Sequence, residues 1–419
     1  MNRKQFLGQL GLLSAGSFLF SHSSLASMKN KRILVVSGWQ DVNIGDITHT
    51  PGLLHILETY LPSVQVTLWK RSNGEDVKTM LNQNFPNVKI IYGGVDEQLN
   101  VNNPEITEAF KNHDFMLHGS GPSIVGQQNL EAWIKATGKP FGIFGTTIQD
   151  INPKLKALLQ KASFIYTRET ASIKVLNDNG ISGSHIGFAP DATFYIDLEN
   201  KQKADAFLKS AGLTPGKFIC AVPRLRYTPY HKFKQTGWSQ QRINLVETTN
   251  EKFKEQDHAK LREAIVTWVR QTKNKVLVCP EMTYEVDIMD ELLINPLPDD
   301  VKPYVVKRGY WLPDEAASVY EQAFSVLSFE CHSPIIAAAK KSLFLYLRQP
   351  EDTIKGQMYY DLDFNDWVFE IEQTTGKQIS DRLMSTWNNQ AGAKKALAQS
   401  MAKVDKLYKA ATTLVAASI

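Results

Sequence analysis

Short apolar runs recur in this chain from Ile33 to Leu347, and most of the stretches between them carry helical spacing. That alternation constrains the fold to α/β, because parallel strands covered by helices on both faces read as unbroken Val, Ile and Leu. The first unit shows it most plainly. Ile33-Leu34-Val35-Val36-Ser37-Gly38 reads as a buried strand ending in a turn, Asn43-Ile44-Gly45-Asp46 follows, and Leu53, Leu54 and Leu57 give helical spacing up to Pro62. Strands are expected again at Val64 to Trp69, Val88 to Tyr92, Phe115 to Leu117, Phe141 to Phe144, Phe164 to Tyr166 and Ile186 to Phe188, closing a Rossmann-like domain over residues 30–199. A helix and the turn Leu213-Thr214-Pro215-Gly216 lead into a second series over residues 215–378. Its strands are Phe218 to Val222, Lys275 to Cys279, Tyr304 to Val306, Ser325 to Leu327 and Leu343 to Leu347. Residues 379–419, rich in Ala, Lys and Leu, are expected to form one or two helices packed back on the body.

Residues 1–26 are of a different kind. A basic start with Arg3 and Lys4, an apolar core from Leu10 to Phe20 and the small-x-small end Ser24-Leu25-Ala26 have the layout of an export signal cleaved after Ala26. Arg3-Lys4-x-Phe6-Leu7 also resembles a twin-arginine signal with Lys in place of one Arg, so a periplasmic or extracellular address is expected. The apolar core is too short to span a bilayer, and with no Cys near the cleavage point no stable membrane anchor is expected. The formal charge of +4 falls to +2 without Arg3 and Lys4, which argues against a nucleic-acid partner. Cys220, Cys279 and Cys331 are odd in number and far apart; two of them pairing in an oxidising compartment is one reading, and three buried thiols is the plainer one. No Cys/His spacing fits zinc, so neither a metal nor a cofactor is expected. Oligomeric state is not legible.

In a doubly wound sheet ligands bind at the carboxyl ends of strands. The stretch Ser328-Phe329-Glu330-Cys331-His332-Ser333 lies at such an end, placing a carboxylate and an imidazole where acid–base chemistry on a small polar ligand is possible. Glu281, after Pro280 at another strand end, is a further carboxylate facing the same cleft. The segment from Pro223 to Glu255, with Arg224, Arg226, Tyr227, Tyr230, Trp238 and Arg242 and few aliphatics, reads as a long loop on the cleft side, either a ligand-holding one or a surface excursion.

Four stretches in order resemble the polysaccharide pyruvyl transferase family. Asn43-Ile44-Gly45-Asp46 is similar to its N-I-G-D turn, and Asp114 to Gly121 to its D-x-x-x-x-G-G-G. Tyr166-Thr167-Arg168-Glu169-x-x-Ser172 is similar to its x-x-R-D-x-x-S, and Pro190-Asp191-Ala192-Thr193-Phe194 to its P-D-P-A-F. The resemblance implies a GT-B-like pair of Rossmann-like domains and an enzyme that moves pyruvate from phosphoenolpyruvate onto a sugar as a cyclic ketal. Later in the chain the family carries R-L-H, and Glu330-Cys331-His332 stands there, so the His is kept and the Arg that helps hold the donor is replaced. Ser120 in the glycine triplet and Glu169 for Asp are further departures.

A carboxylate in place of that Arg repels a phosphate ester, since like charges ~4 Å apart cost roughly 4 kcal/mol at an effective dielectric near 20. An exported enzyme would also lack a cytoplasmic donor. Both objections vanish if water opens the ketal instead, which points to a hydrolase acting on a pyruvylated polysaccharide or oligosaccharide, with transfer from phosphoenolpyruvate and non-catalytic sugar binding as the competing readings. On the hydrolase reading Glu330 is the acid, His332 activates water or orients the pyruvyl carboxylate, and Asp46 supplies a second carboxylate. Arg168, Arg224 or Arg226 grips the pyruvyl carboxylate, and Asn43, Ser120 and Glu281 complete the substrate-binding set. Each has a plainer reading: Asp46 and Glu330 as helix caps, Arg168 as an ion-pair partner of Asp191 or Glu169, and His118 as a satisfied buried histidine.

Overall fold

The computed structural model describes residues 31–419, so the expected export signal and its expected cleavage point lie outside the described residues. Strands β1 (Arg32–Ser37), β2 (Gln65–Lys70), β3 (Lys89–Tyr92), β4 (Phe115–His118), β5 (Phe141–Thr146), β6 (Phe164–Thr167) and β7 (Ile186–Phe188) form one parallel sheet in the order β3-β2-β1-β4-β5-β6-β7. A second parallel sheet contains β8 (Phe218–Val222), β9 (Lys275–Val278), β10 (Val305–Lys307), β11 (Ser325–Ser328), β12 (Leu343–Arg348) and β13 (Val368–Glu370), in the order β10-β9-β8-β11-β12-β13. Each sheet reverses its winding once, between β1 and β4 and between β8 and β11, and such reversals open crevices at the strand ends. The runs expected to be strands are strands, within a residue or two at their ends. β13 escaped notice because its three residues, Val-Phe-Glu, carry no alternation long enough to read.

The segment after β8 departs from expectation. Its loop ends at Ser239, whose side chain caps a 33-residue helix, Gln240–Thr272, where the sequence suggested a loop as far as Glu255. The inward stripe of that helix is Val246, Asn250, Asp257, His258 and Leu261, so much of its buried face is polar and the apolar period is invisible. The remaining loop does carry the aromatics: Lys234 Nζ lies 3.7 Å from the Tyr230 ring centre, and Arg242 faces Tyr227 at 4.9 Å.

Two helices tie the halves together. Helix Ile44–Tyr60 starts at Asn43, whose side chain accepts from the amides of Gly45 and Asp46, and it is buried on nearly every side from Ile44 to Leu57. It can be so buried because it lies between the first sheet and the second half, where a single apolar stripe would not suffice. Helix Gln390–Ser418 returns from the second half to the first, burying Leu397, Val404, Tyr408, Ala411 and Val415. Its Asp405 Oδ1 accepts from Tyr60 at 2.5 Å, and Tyr408 donates to the Asp191 carbonyl at 2.5 Å. Apolar packing is continuous across both halves through these contacts. Among the described residues no helix is long and apolar enough to cross a membrane, and all three cysteines are buried free thiols.

Gly52, in the middle of the first helix, lies against the Ala192 carbonyl so closely that a Cβ there would overlap backbone atoms. Neither backbone can give way, so Gly52→Ala should lose about 2 kcal/mol of stability, read as a lower urea midpoint with an unchanged slope; an unchanged midpoint would show that the helix can shift.

Candidate active site

Four strand ends meet where the halves face each other. The turn after β1 runs through Trp39 and Gln40 to Asn43, which fixes Asp46 and His49 one turn apart on the same helix face. The end of β7 leads to Asp191, whose carboxylate caps the amide of Thr193 at 3.0 Å. From the second half, β9 delivers Glu281 and Glu285, and β11 delivers Glu330 and His332. The backbone clasps the two sides together: Ile44 N donates to the Glu281 carbonyl at 2.9 Å and Thr283 N to that of Val42 at 3.0 Å. Gly45 is required here, since a Cβ on it would fall inside the His332 ring.

Asp191 is the hub. It is fully buried and accepts from Arg168 Nη1 at 2.7 Å and from His49 Nδ1 at 2.9 Å, with His332 Nε2 3.8 Å away across the clasp. Burial would push its carboxyl up, but His49, His332 and Arg168 together hold it well below the usual range, so it is ionised. His332 is placed between this carboxylate and Glu281, whose Oε1 lies 3.3 Å from Nδ1. Burial pulls the His332 imidazole down, while Cys331 beside it and its bonds to Asp191 and Glu281 lift it well above its ordinary value, making it an imidazolium at neutral pH. Glu281 is held in turn by the amide and hydroxyl of Ser333, at 2.6 and 2.8 Å.

His49 has a different character. With Nδ1 fixed on Asp191, its Nε2 has no hydrogen-bond partner and points toward Asp46 Oδ1 at 3.8 Å. A carboxylate that orients one imidazole nitrogen leaves the other available as a base. His49, Asp191 and His332 do bring ligand-type atoms within 4.8 Å of one another, a spacing that could hold a metal ion. However, Arg168 already occupies Asp191 and His332 is itself cationic, so a metal would enter a cluster whose positive charge is already supplied.

The floor of the cleft is acidic. Glu330 lies 3.1 Å from Arg224 Nε, and Arg224 also binds Asp352 at 2.7 Å, which Lys355 reaches at 2.7 Å too. Glu285 lies near Glu330, with its Oε2 accepting from the amides of Glu281 and Met282 at 2.6 and 3.1 Å and its Oε1 without a hydrogen-bond partner. Burial raises Glu330, with Arg224 opposing and Glu281 adding; burial, then Glu330 and Glu281, raise Glu285 much further. Neighbouring buried carboxyl groups resist ionising together. Tyr230, from the aromatic loop, accepts from Gln40 Nε2 at 3.2 Å, and burial, with the charges of Asp46 and Glu330 adding, raises its phenol.

The structure therefore brings together Asp46, Glu281, Glu330 and His332. Arg168 lies behind them on Asp191, with its Nε on Thr147 Oγ1 at 2.7 Å, and beside it burial lifts Glu169 to about 7. Arg224 is on the floor but is taken by Glu330 and Asp352. Arg226 is turned away, held by Asp257 at 2.9 Å and Glu372 at 2.7 Å over the Phe253 ring. Asn43 is occupied as a helix cap, and Ser120 accepts from the Ala192 amide at 3.0 Å while its carbonyl binds Trp39. His118 is buried and neutral, pushed down to about 3 by its surroundings. Sequence reasoning missed His49 and Glu285. The signal for both was spacing: Asp46-x-x-His49 puts two ionisable groups on one helical turn, and Glu281-x-x-x-Glu285 sets one carboxylate before a short helix and another at its first residue.

A family model, Polysaccharide pyruvyl transferase, matches residues 43–321. No curated relative matches the chain. Solved structures share the fold at low identity. A putative UDP-N-acetylglucosamine 2-epimerase from Listeria monocytogenes aligns with a TM-score of 0.56 at 12% identity, covering 88% of this chain and 90% of that one. The S. aureus MnaA structure with UDP gives 0.55 at 9%, over 88% and 90%. Anabaena Alr3699/HepE with UDP-glucose gives 0.53 at 12%, over 92% and 98%.

The imidazolium at His332 has a pH signature. Its folded value lies above the unfolded one near 6.5, so its stabilising contribution is complete below that pH and is lost as pH rises through the folded value. Relative to His332→Gln, the wild type should be more stable by about 3 kcal/mol near pH 6, with the gap in urea midpoint narrowing as the pH is raised into the alkaline range. A gap independent of pH would show that His332 is neutral.

Proposed function

The chain belongs to the polysaccharide pyruvyl transferase family, and from that membership we propose that it is a sugar-modifying enzyme that hydrolyses pyruvate ketals on an exported polysaccharide or its oligosaccharides. The observation that carries the reading is the acidic floor: Glu330, standing where the family's R-L-H motif has Arg, is buried with its carboxyl raised and Glu285 nearby, and Arg224 beside it is already paired with Asp352. A phosphate-bearing donor finds there a carboxyl pair in place of a free guanidinium. A ketal finds a buried acid, which is what its opening needs.

The reaction balances with water alone. One ketal C–O bond breaks as Glu330 gives its proton to the departing sugar oxygen, and the carbon left behind carries oxocarbenium character. Water adds to that carbon, losing a proton to His49 Nε2, which Asp191 orients. The second C–O bond then breaks, its oxygen takes the remaining proton, and the products are pyruvate and the free sugar diol. The imidazolium of His332 faces the developing site as a fixed positive charge suited to the pyruvyl carboxylate. Glu330 is only 4% exposed, so a sugar reaches it when the clasp between residues 42–44 and 281–283 parts. The N-terminal signal supports an address outside the cytoplasm, where the polymer is and phosphoenolpyruvate is not.

Transfer from phosphoenolpyruvate is the second reading, favoured by the family's own reaction and by the retained Asp46, Arg168 and His332. Incubation with pyruvylated galactan fragments separates the two. Hydrolysis should release free pyruvate, and Glu330→Gln should slow it about a hundredfold or more. Release of no pyruvate, together with transfer from phosphoenolpyruvate, would overturn the proposal.

A further inference from the structure

The arginines at the cleft are spoken for, but one further out is not. Arg71 follows β2 and reaches across the end of β1 to Asn129, on the helix Gln127–Thr137 that follows β4, with Nη1 to Oδ1 at 2.7 Å. It therefore spans the crevice where the first sheet reverses its winding, the place where doubly wound sheets bind ligands. Among the described residues no carboxylate pairs with it. Its neighbour Lys70 is taken by Asp41 at 2.8 Å, and Glu131 on the same helix is taken by Lys154 at 2.8 Å.

Two independent features meet at that guanidinium. Asn129 is fully buried, and its Nδ2 has no partner. Because Oδ1 is held by Arg71, the amide nitrogen of the same group lies close to the guanidinium as a buried donor still without an acceptor. The helix opens at Gly126 with no acidic residue in its first turn; the Gly126 amide is taken by His118 Nε2 at 3.0 Å and that of Gln127 by the Ile124 carbonyl at 3.0 Å, so no negative charge answers its positive end. Trp39 is two residues beyond Ser37, whose carbonyl accepts from the Arg71 amide at 3.0 Å; its indole stacks on His118 with ring centres 4.8 Å apart and is fixed by its bond to the Ser120 carbonyl at 2.6 Å. Gly121 leaves it room, since a Cβ there would press on the indole nitrogen. An aromatic face beside a planar cation with parallel donors is what a sugar carrying a carboxylate requires.

We propose that Arg71, Asn129 and the first turn of helix Gln127–Thr137 form a binding site for a sugar-borne carboxylate, with Trp39 packing against the ring that bears it. The turn after β1 links this site to the acidic floor, because Trp39 lines the one and the next residue, Gln40, hydrogen-bonds Asp46 and Tyr230 in the other. A polymer with acidic groups at intervals could thus be held at one residue while a neighbouring one reaches Glu330. The identity of the sugar rests on the reading given above; the preference for a carboxylate does not.

Titration calorimetry on the full chain tests this, using a Glu330→Gln background so that no ketal is consumed. The probes are a galactoside bearing a 4,6-linked pyruvate ketal, the same galactoside without it, and a galacturonide. Arg71→Gln should weaken binding of the ketal at least tenfold and leave the neutral galactoside unchanged, with Arg71→Lys recovering part of the loss. Equal weakening of the galacturonide marks a general carboxylate site, and weakening of the ketal alone marks the pyruvyl group as its ligand. Ketal binding that is absent, or indifferent to Arg71, overturns the site. Arg71 is exposed, so a melting curve matching that of the parent confirms that the variant folds. Pyruvate release with Arg71-independent binding would remove this site and leave the hydrolase reading; Arg71-dependent binding without release would do the reverse.

Discussion

The carboxylate of Asp191 is the interaction on which the other contacts between the halves depend. An ion with no access to water is costly, and the cost is recovered only when every lone pair is matched by a well-placed donor. Here the donors come from separate elements: Arg168 from the end of β6, His49 from the first helix, the Thr193 amide from its own turn, and the charge of His332 from the second half. Each is held by a further contact, Arg168 by Thr147 and His332 by Glu281. Disturbing one of them leaves a buried charge partly unmatched, which explains why a glycine is needed at position 45, where any side chain would displace His332.

Around that hub the two halves contribute opposite kinds of group. The first half offers an imidazole at His49, oriented by Asp191, with an open nitrogen. The second offers carboxyls that burial and mutual repulsion keep partly protonated, and an imidazolium. Proton donors and acceptors whose environments drive them apart are what acid–base catalysis requires. The same environment is unfavourable to a phosphate, because the positive charges of Arg168, Arg224 and Lys355 are each closed off by a carboxylate.

Most of the fold was legible because parallel strands buried on both faces leave an unbroken apolar trace, as in Ile33 to Val36 and Phe218 to Val222. What failed to show had a physical cause in each case. The first turns of Gln240–Thr272 bury Asn250 and Asp257 along with Val246, so their period is not one of hydrophobicity. At the site, Glu330 and His332 could be placed because they follow a strand, a position that itself predicts function. The fates of the arginines could not be read, since nothing local in Arg224 or Arg226 reveals that Asp352 and Asp257, more than thirty residues away in the chain, will close on them. His49 was hidden inside a helix that sequence reasoning treated only as packing.

The helix Gln390–Ser418 gives this arrangement a temporal order. Tyr408 covers the carbonyl of a residue 217 positions earlier, and Asp405 meets Tyr60 across 345. Contacts that distant are made late, because the loops they close must first be ordered. A chain emerging from the ribosome can therefore build its first sheet long before the Asp191 turn receives its final cover. Until the closing helix arrives, the charged hub stays open to water and the partly assembled half exposes the apolar surface that Val404, Ala411 and Val415 later occupy. Synthesis halted short of that helix would leave a two-sheet product with a hydrated, unassembled centre, so the molecule becomes competent only once it is whole.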